Sequence, residues 1–210
     1  MRIFVHFLDS VREGNKRLLI RTVDTDVVVI AISVFRRLST SEIWIAFGSG
    51  KAFRYIEVPK IAAVLGPEKS LALPAFHAPT GGDQVLSFYS KVEKTAWDTW
   101  SVFGDVTPAF ATLSNNPNTE AVYESLHLLE RFVVLMYDRT SSCVSANEAR
   151  LDLFPTRTRM DAIPPTSTAL LQHVKQAAYM AGHCWGQALI ASPNFLSPSE
   201  WGWQQSSSGQ

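Results

Sequence analysis

Apolar positions follow two rhythms along this chain. From Ile3 to Val11 they recur at 3, 4, 5, 7, 8 and 11, which suits a short helix that Gly14-Asn15 stops. Leu18 to Val23 then reads as a strand. Val27 to Ile32 is continuous and rich in β-branched residues, as in a strand buried on both faces or a core helix. Of the two, the strand is expected, beside 18–23 and 43–47. Ile43 to Phe47 is the third strand candidate, Gly48-Ser49-Gly50-Lys51 looks like a turn, and the alternating Phe53-Arg54-Tyr55-Ile56 suggests a hairpin partner. Pro59 to Leu65 suits a short helix with Pro at its first position.

Beyond this point the pattern turns helical. Leu71 to His77 is apolar and is followed by Pro79 and a turn at Thr80-Gly81-Gly82-Asp83. Helices are expected over 94–103, 120–137, 147–154 and 168–190, the second capped from the Asn115-to-Thr119 loop. Its apolar positions at 122, 126, 129, 132, 133 and 136 make it the clearest amphipathic segment. The stretch 192–210, rich in Ser and Pro with Trp201 and Trp203, reads as an irregular tail. The expected class is α/β: a parallel sheet in the N-terminal part, followed by a mostly helical C-terminal half. The divisions are 1–105 for the α/β core, 106–191 for a helical extension of the same domain, and 192–210 for the tail.

Composition narrows the partners. The chain is 46% hydrophobic and 18% charged, which excludes a disordered or collagen-like protein. Lys+Arg 19 against Asp+Glu 19 leaves no net charge, so contact with DNA or RNA would rest on a local patch rather than a global field. Two cysteines are too few for a disulfide framework and favour a reducing compartment. The longest apolar stretch, Val27 to Phe35, falls well short of the roughly 20 residues that span a bilayer. The expectation is an intracellular chain, nuclear or cytoplasmic, without a membrane partner.

Two segments carry candidate chemistry. In Val23-Asp24-Thr25-Asp26-Val27 two carboxylates stand between apolar runs. Just past a strand such a pair lies at the carboxyl edge of a sheet, where α/β proteins place their sites, and both side chains could reach a divalent cation. The plainer reading is a polar turn in which Asp caps a following helix. In Thr80-Gly81-Gly82-Asp83 the glycines allow close backbone approach and a sharply placed carboxylate, though such a stretch is also an ordinary turn. Gly48-Ser49-Gly50-Lys51-Ala52 lacks the spacing and the final Ser or Thr of a phosphate loop. His173, His183 and Cys184 match no standard zinc spacing and read as a packed helix. The tryptophans at 97, 100, 185, 201 and 203 read as core rather than as stacking platforms.

With those residues in view, Val-Asp-Thr-Asp-Val-Val-Val over 23–29 resembles the Asp-x-Asp motif of PIN-like nucleases, the superfamily that includes the flap endonucleases. Ala75 to Asp83 resembles its later Gly-x-Asp motif. From about Arg2 to Trp203 the chain is similar to a set of uncharacterised, multi-copy PIN-like proteins of animal genomes, many of them borne by mobile elements. Phrases such as Arg-Thr-Val-Asp-Thr-Asp-Val-Val-Val, Ala-Leu-Pro-Ala-Phe-His-Ala, Leu-Glu-Arg-Phe-Val-Val-Leu-Met-Tyr-Asp-Arg-Thr-Ser-Ser and Ala-Gly-His-Cys-Trp-Gly-Gln-Ala-Leu carry that similarity.

The resemblance implies a metal-dependent nuclease hydrolysing phosphodiester bonds of DNA or RNA. Asp24, Asp26 and Asp83 would serve as catalytic metal ligands for Mg²⁺ or Mn²⁺, and Lys91 and Lys94 would touch phosphates. It also implies departures. The Glu-rich motif and the strand bearing the superfamily's first Asp fall before Met1, so the core is expected to lack its first strands. Lys91 and Lys94 lie in a segment, Ser90-Lys91-Val92-Glu93-Lys94, that has lost the glycines of relatives. Two expectations follow: an exposed sheet edge that invites self-association, and a second functional reading, a catalytically inert PIN-like remnant acting as a binding or interaction module. Carboxylates that would complete the site are sought at Glu57, Asp98 and Asp138.

Overall fold

A computed structural model describes residues 2–38, 42–81, 93–157 and 159–203. Helix α1 (Ile3–Arg12) leads into strand β1 (Arg17–Thr22), helix α2 (Thr25–Val34), strand β2 (Glu42–Phe47) and strand β3 (Arg54–Glu57). The sheet order is β1-β2-β3, with β1 and β2 parallel and β2 and β3 antiparallel. The sheet is therefore mixed rather than parallel throughout. Leu18 and Ile20 of β1 and Ile43 and Ile45 of β2 point into the core, whereas Leu19 and Tyr55 on the opposite face are exposed. Among the described residues β1 has a neighbour on one side only.

Val27–Ile32 is not a strand. It forms the middle of α2, and its residues from Val28 to Ile32 are buried. The reason lies in the register of β1 against β2, which pairs Leu18 with Ile43 and Ile20 with Ile45 in the same direction. Parallel neighbours need a crossover long enough to bring the chain back, usually a helix. The segment between Thr22 and Glu42 supplies it. A helix apolar all round is buried all round, which is why its sequence carries no amphipathic stripe. The β2–β3 turn forms as the pattern predicts. Gly48 adopts φ 84°, and a Cβ there would lie 2.9 Å from the Ala52 carbonyl oxygen.

The helical half begins with α3 (Val58–Thr80), broken at Gly66, where φ is 77°. Its second segment packs against α2 and α5. Then come α4 (Glu93–Val102), α5 (Thr107–Ser114, an element the sequence pattern leaves unassigned), α6 (Thr119–Tyr137) and α7 (Ala146–Leu153). Helix α8 (Ser167–Ala178) continues through a π turn (Tyr179–Cys184) and a 3-10 turn (Trp185–Gln187). Phe76 of α3, Trp100 of α4 and Phe110 of α5 meet at the centre, with the Phe76 and Trp100 rings stacked 4.7 Å apart. Trp100 and Trp185 are buried, as a core role requires.

The segment after residue 192 is more ordered than its Ser/Pro content suggests. Pro198–Trp201 forms a 3-10 turn, and Trp201 is buried against His183, with ring centroids 4.4 Å apart. Gln176 Nε2 donates to the Gly202 carbonyl at 2.9 Å and holds that turn to α8. Among the described residues no helix is long and apolar enough to cross a membrane.

Candidate functional site

The carboxyl end of β1 carries the acidic pair. Asp24 is the N-cap of α2: its Oδ1 accepts from the Asp26 backbone N–H at 2.8 Å, while its own N–H donates to Thr22 Oγ1. One oxygen of Asp24 therefore serves the orphan donors of the helix start. Asp26, two residues on, lies in the first turn of α2, where the helix dipole favours a negative charge. Its side chain turns inward and is 15% exposed.

His77 meets it there from the last turn of α3. The ring is buried, with Nε2 3.1 Å from Asp26 Oδ1 and Nδ1 2.9 Å from Glu93 Oε1 at the start of α4. Gly81 makes the second contact possible. A Cβ on it would come within 2.8 Å of both Glu93 Oε1 and His77 Cε1. Trp185 lies nearby, its ring 6.1 Å from that of His77.

Carboxylates only accept, so an imidazole bonded to one at each nitrogen donates from both and is the charged form. Burial opposes that charge and is the largest single influence, but the bonds and charges of Glu93 and then Asp26 together outweigh it. The His77 pKa is raised above its ordinary value. Glu93 answers in kind: its bond to His77 outweighs partial burial and lowers its pKa. Together, Asp26, His77 and Glu93 form a closed carboxylate–imidazolium–carboxylate bridge between α2, α3 and α4.

The residues implicated by sequence are distributed unevenly around this bridge. Asp24 and Asp26 stand together as expected, in the two roles just given. Asp83 and Lys91 lie outside the described residues. Lys94 is exposed, and its Nζ donates to Asp98 Oδ2 at 2.7 Å, one turn along α4. That pair, with Arg139 near it, lowers the Asp98 pKa. Glu57 pairs with Lys60 at 2.6 Å, and Asp138 caps a local turn through Thr140. None of these three carboxylates joins the bridge. Its unforeseen members are His77 and Glu93. A histidine inside an apolar helical run is the available signal, because a buried imidazole needs partners for its nitrogens.

Asp24 and Asp26 alone bring few hard oxygen ligands for a divalent cation, and Asp83, the third expected ligand, lies outside the described residues. Among the described residues no three His, Cys, Asp or Glu side chains converge to hold a metal ion. Mg²⁺ and Mn²⁺ want several hard oxygen ligands. Here Asp24 caps a helix, and both ring nitrogens of His77 are engaged. Comparison with models of known protein families, with curated proteins and with solved structures finds no match to this chain.

Proposed function

We propose that this chain is a PIN-like protein without hydrolytic activity, acting as an interaction module, in which a protonated histidine holds the acidic site together. The observation that carries this reading is His77, buried and bonded at both nitrogens to the carboxylates of Asp26 and Glu93. The imidazolium brings a positive charge to the carboxylates that a PIN-like nuclease would turn toward its metal. The PIN-like assignment itself rests on the resemblance of 23–29 and 75–83, and the placement of Asp24 and Asp26 at the end of a parallel strand is consistent with it.

A second reading, metal-dependent cleavage of DNA or RNA, is favoured by one observation. Glu93 is a further carboxylate brought toward Asp26, and its side chain is 48% exposed. That reading requires His77 to lose its proton and Asp83 to join the set. Labelled flap, hairpin and single-stranded DNA and RNA, incubated with Mn²⁺ or Mg²⁺, separate the two. The inert reading expects no cleavage by wild type above the level of Asp26→Asn. Metal-dependent cleavage that Asp26→Asn abolishes would replace it with the nuclease reading.

A further inference from the structure

The segment 190–203 forms one wall of a cavity of about 670 Å³ that opens away from the acidic bridge, against the end of α2, the second segment of α3 and the turns after α8. Asn194, Leu196, Glu200 and Trp201 are its part of that wall. Every residue from Ala191 to Glu200 is exposed, Trp203 is half-buried, and Trp201 alone is buried. Side chains of α8 and the turns that continue it tie the segment down. Tyr179 Oη donates to the Leu196 carbonyl at 2.9 Å, and Gln176 Nε2 donates to the Gly202 carbonyl at 2.9 Å. The Gln187 amide donates to the Asn194 carbonyl at 2.8 Å and accepts from the Asn194 N–H at 2.9 Å. A segment with one buried side chain and few bonds opens at a lower free energy than the helices beneath it.

Trp201 covers His183. The two rings lie 4.4 Å apart, edge to face, and His183 is 4% exposed. Its Nε2 is closed to water and has no hydrogen-bond partner. A protonated ring carries an N–H at both nitrogens, and a buried charged donor without an acceptor is costly. Of the titratable and charged groups nearby, Tyr179 and Cys184 lie on the same turn, Glu200 on the segment and Arg37 across the cavity. Among the described residues none of these four bonds the ring. Burial accordingly holds His183 below its ordinary pKa. The docked segment and the protonated ring therefore exclude each other.

We propose that 190–203 is an acid-released strap: protonation of His183 undocks Trp201 and opens that wall of the cavity. The closed form binds one proton fewer than the open form, in which the ring meets water. Docking is therefore complete above the ordinary histidine value of 6.5 and is lost as pH falls through the depressed value of the docked ring. Release bares the rings of His183 and Trp201. It breaks ties made by side chains and leaves the backbone bonds of α8 in place. The acidic bridge does not share this response. His77, bonded to two carboxylates, contributes fully below 6.5, so acid that loosens the strap leaves the bridge closed.

Hydrogen exchange of the full chain, read by mass spectrometry one pH unit above and one unit below 6.5, tests the strap. Rates are corrected for the intrinsic pH dependence of amide exchange. In wild type, exchange across 190–203 should rise at the lower pH by up to about tenfold, the limit for a single proton over one unit, while α6 stays protected. His183→Gln, neutral at both pH values, should lose the rise. Gln176→Ala cuts the tie to Gly202 without touching the ring. It should speed exchange across the strap at both pH values. It should also move the NMR titration midpoint of the His183 ring up toward 6.5, because a looser strap exposes the ring more often. The proposal is overturned if exchange across 190–203 does not rise at the lower pH, if His183→Gln keeps the rise, or if Gln176→Ala leaves the midpoint where it was. Where His183→Gln fails to fold, the Gln176→Ala comparison decides alone.

Discussion

His77 Nε2 lies 3.1 Å from Asp26 Oδ1, although 51 residues separate the two in sequence. The contact joins the start of the crossover helix to the end of α3, and Glu93 extends it to α4 through the other ring nitrogen. Three helices are thus tied at one point by a charged ring. Removing that ring leaves Asp26, mostly buried, facing an apolar neighbour. His77→Leu should destabilise the fold by about 2–4 kcal/mol, below the full cost of breaking a buried ion pair because Glu93 is half exposed. Urea denaturation of wild type and variant measures it.

The same bridge makes stability depend on pH with a definite sign. His77 has a raised pKa, so its contribution is complete below its ordinary value of 6.5 and fades as pH climbs through the folded value. Glu93 has a lowered pKa, so its contribution is complete above its ordinary value of 4.5 and fades as pH falls through the folded value. Melting temperature should peak between those two limits and decline as pH rises above the upper one, and His77→Gln should flatten the alkaline decline. An alkaline limb of equal slope in the variant would remove His77 as its source.

Asp24 is distinguished from a metal ligand by which substitutions it tolerates. As a cap, Asp24→Asn should hold stability within a few tenths of a kcal/mol, since Asn caps as well as Asp, whereas Asp24→Ala should cost about 1 kcal/mol. Millimolar Mn²⁺ should leave both melting temperatures where they were. A metal-dependent rise in wild type that Asp24→Asn erases would contradict the cap-only role.

Gly81 gives a steric route to the same bridge. Gly81→Ala places a methyl group 2.8 Å from Glu93 Oε1 and from His77 Cε1, so the Glu93 side chain must swing toward solvent. The expected cost is about 1–2 kcal/mol. The His77 pKa, followed by NMR titration of the ring protons, should move down toward its ordinary value. An unchanged titration midpoint would show that Glu93 does not hold the proton on the ring.

Much of this architecture is legible in the pattern of residues, and particular positions show where legibility ends. β1 and β2 follow from short apolar runs, and α6 from period-3.6 spacing. α2 does not, because a helix buried on every side has no polar face, and only the parallel pairing of β1 with β2 shows that a crossover is needed. Asp24 and Asp26 stand out as two acids between apolar runs. His77 and Glu93 do not, because a bridge made across α2, α3 and α4 leaves no local spacing to read. Trp201 reads as a core side chain, but the 3-10 turn that carries it does not stand out, because the Ser- and Pro-rich residues around it describe an irregular segment.

The burial of Trp201 also sets an order of events during synthesis. The indole packs on His183 and Tyr179, and Gly202 accepts from Gln176, so the layer around the π turn is unfinished until residue 201 has left the ribosome. Helices made earlier must wait with that apolar surface open, a stage at which nascent chains are prone to misassociation.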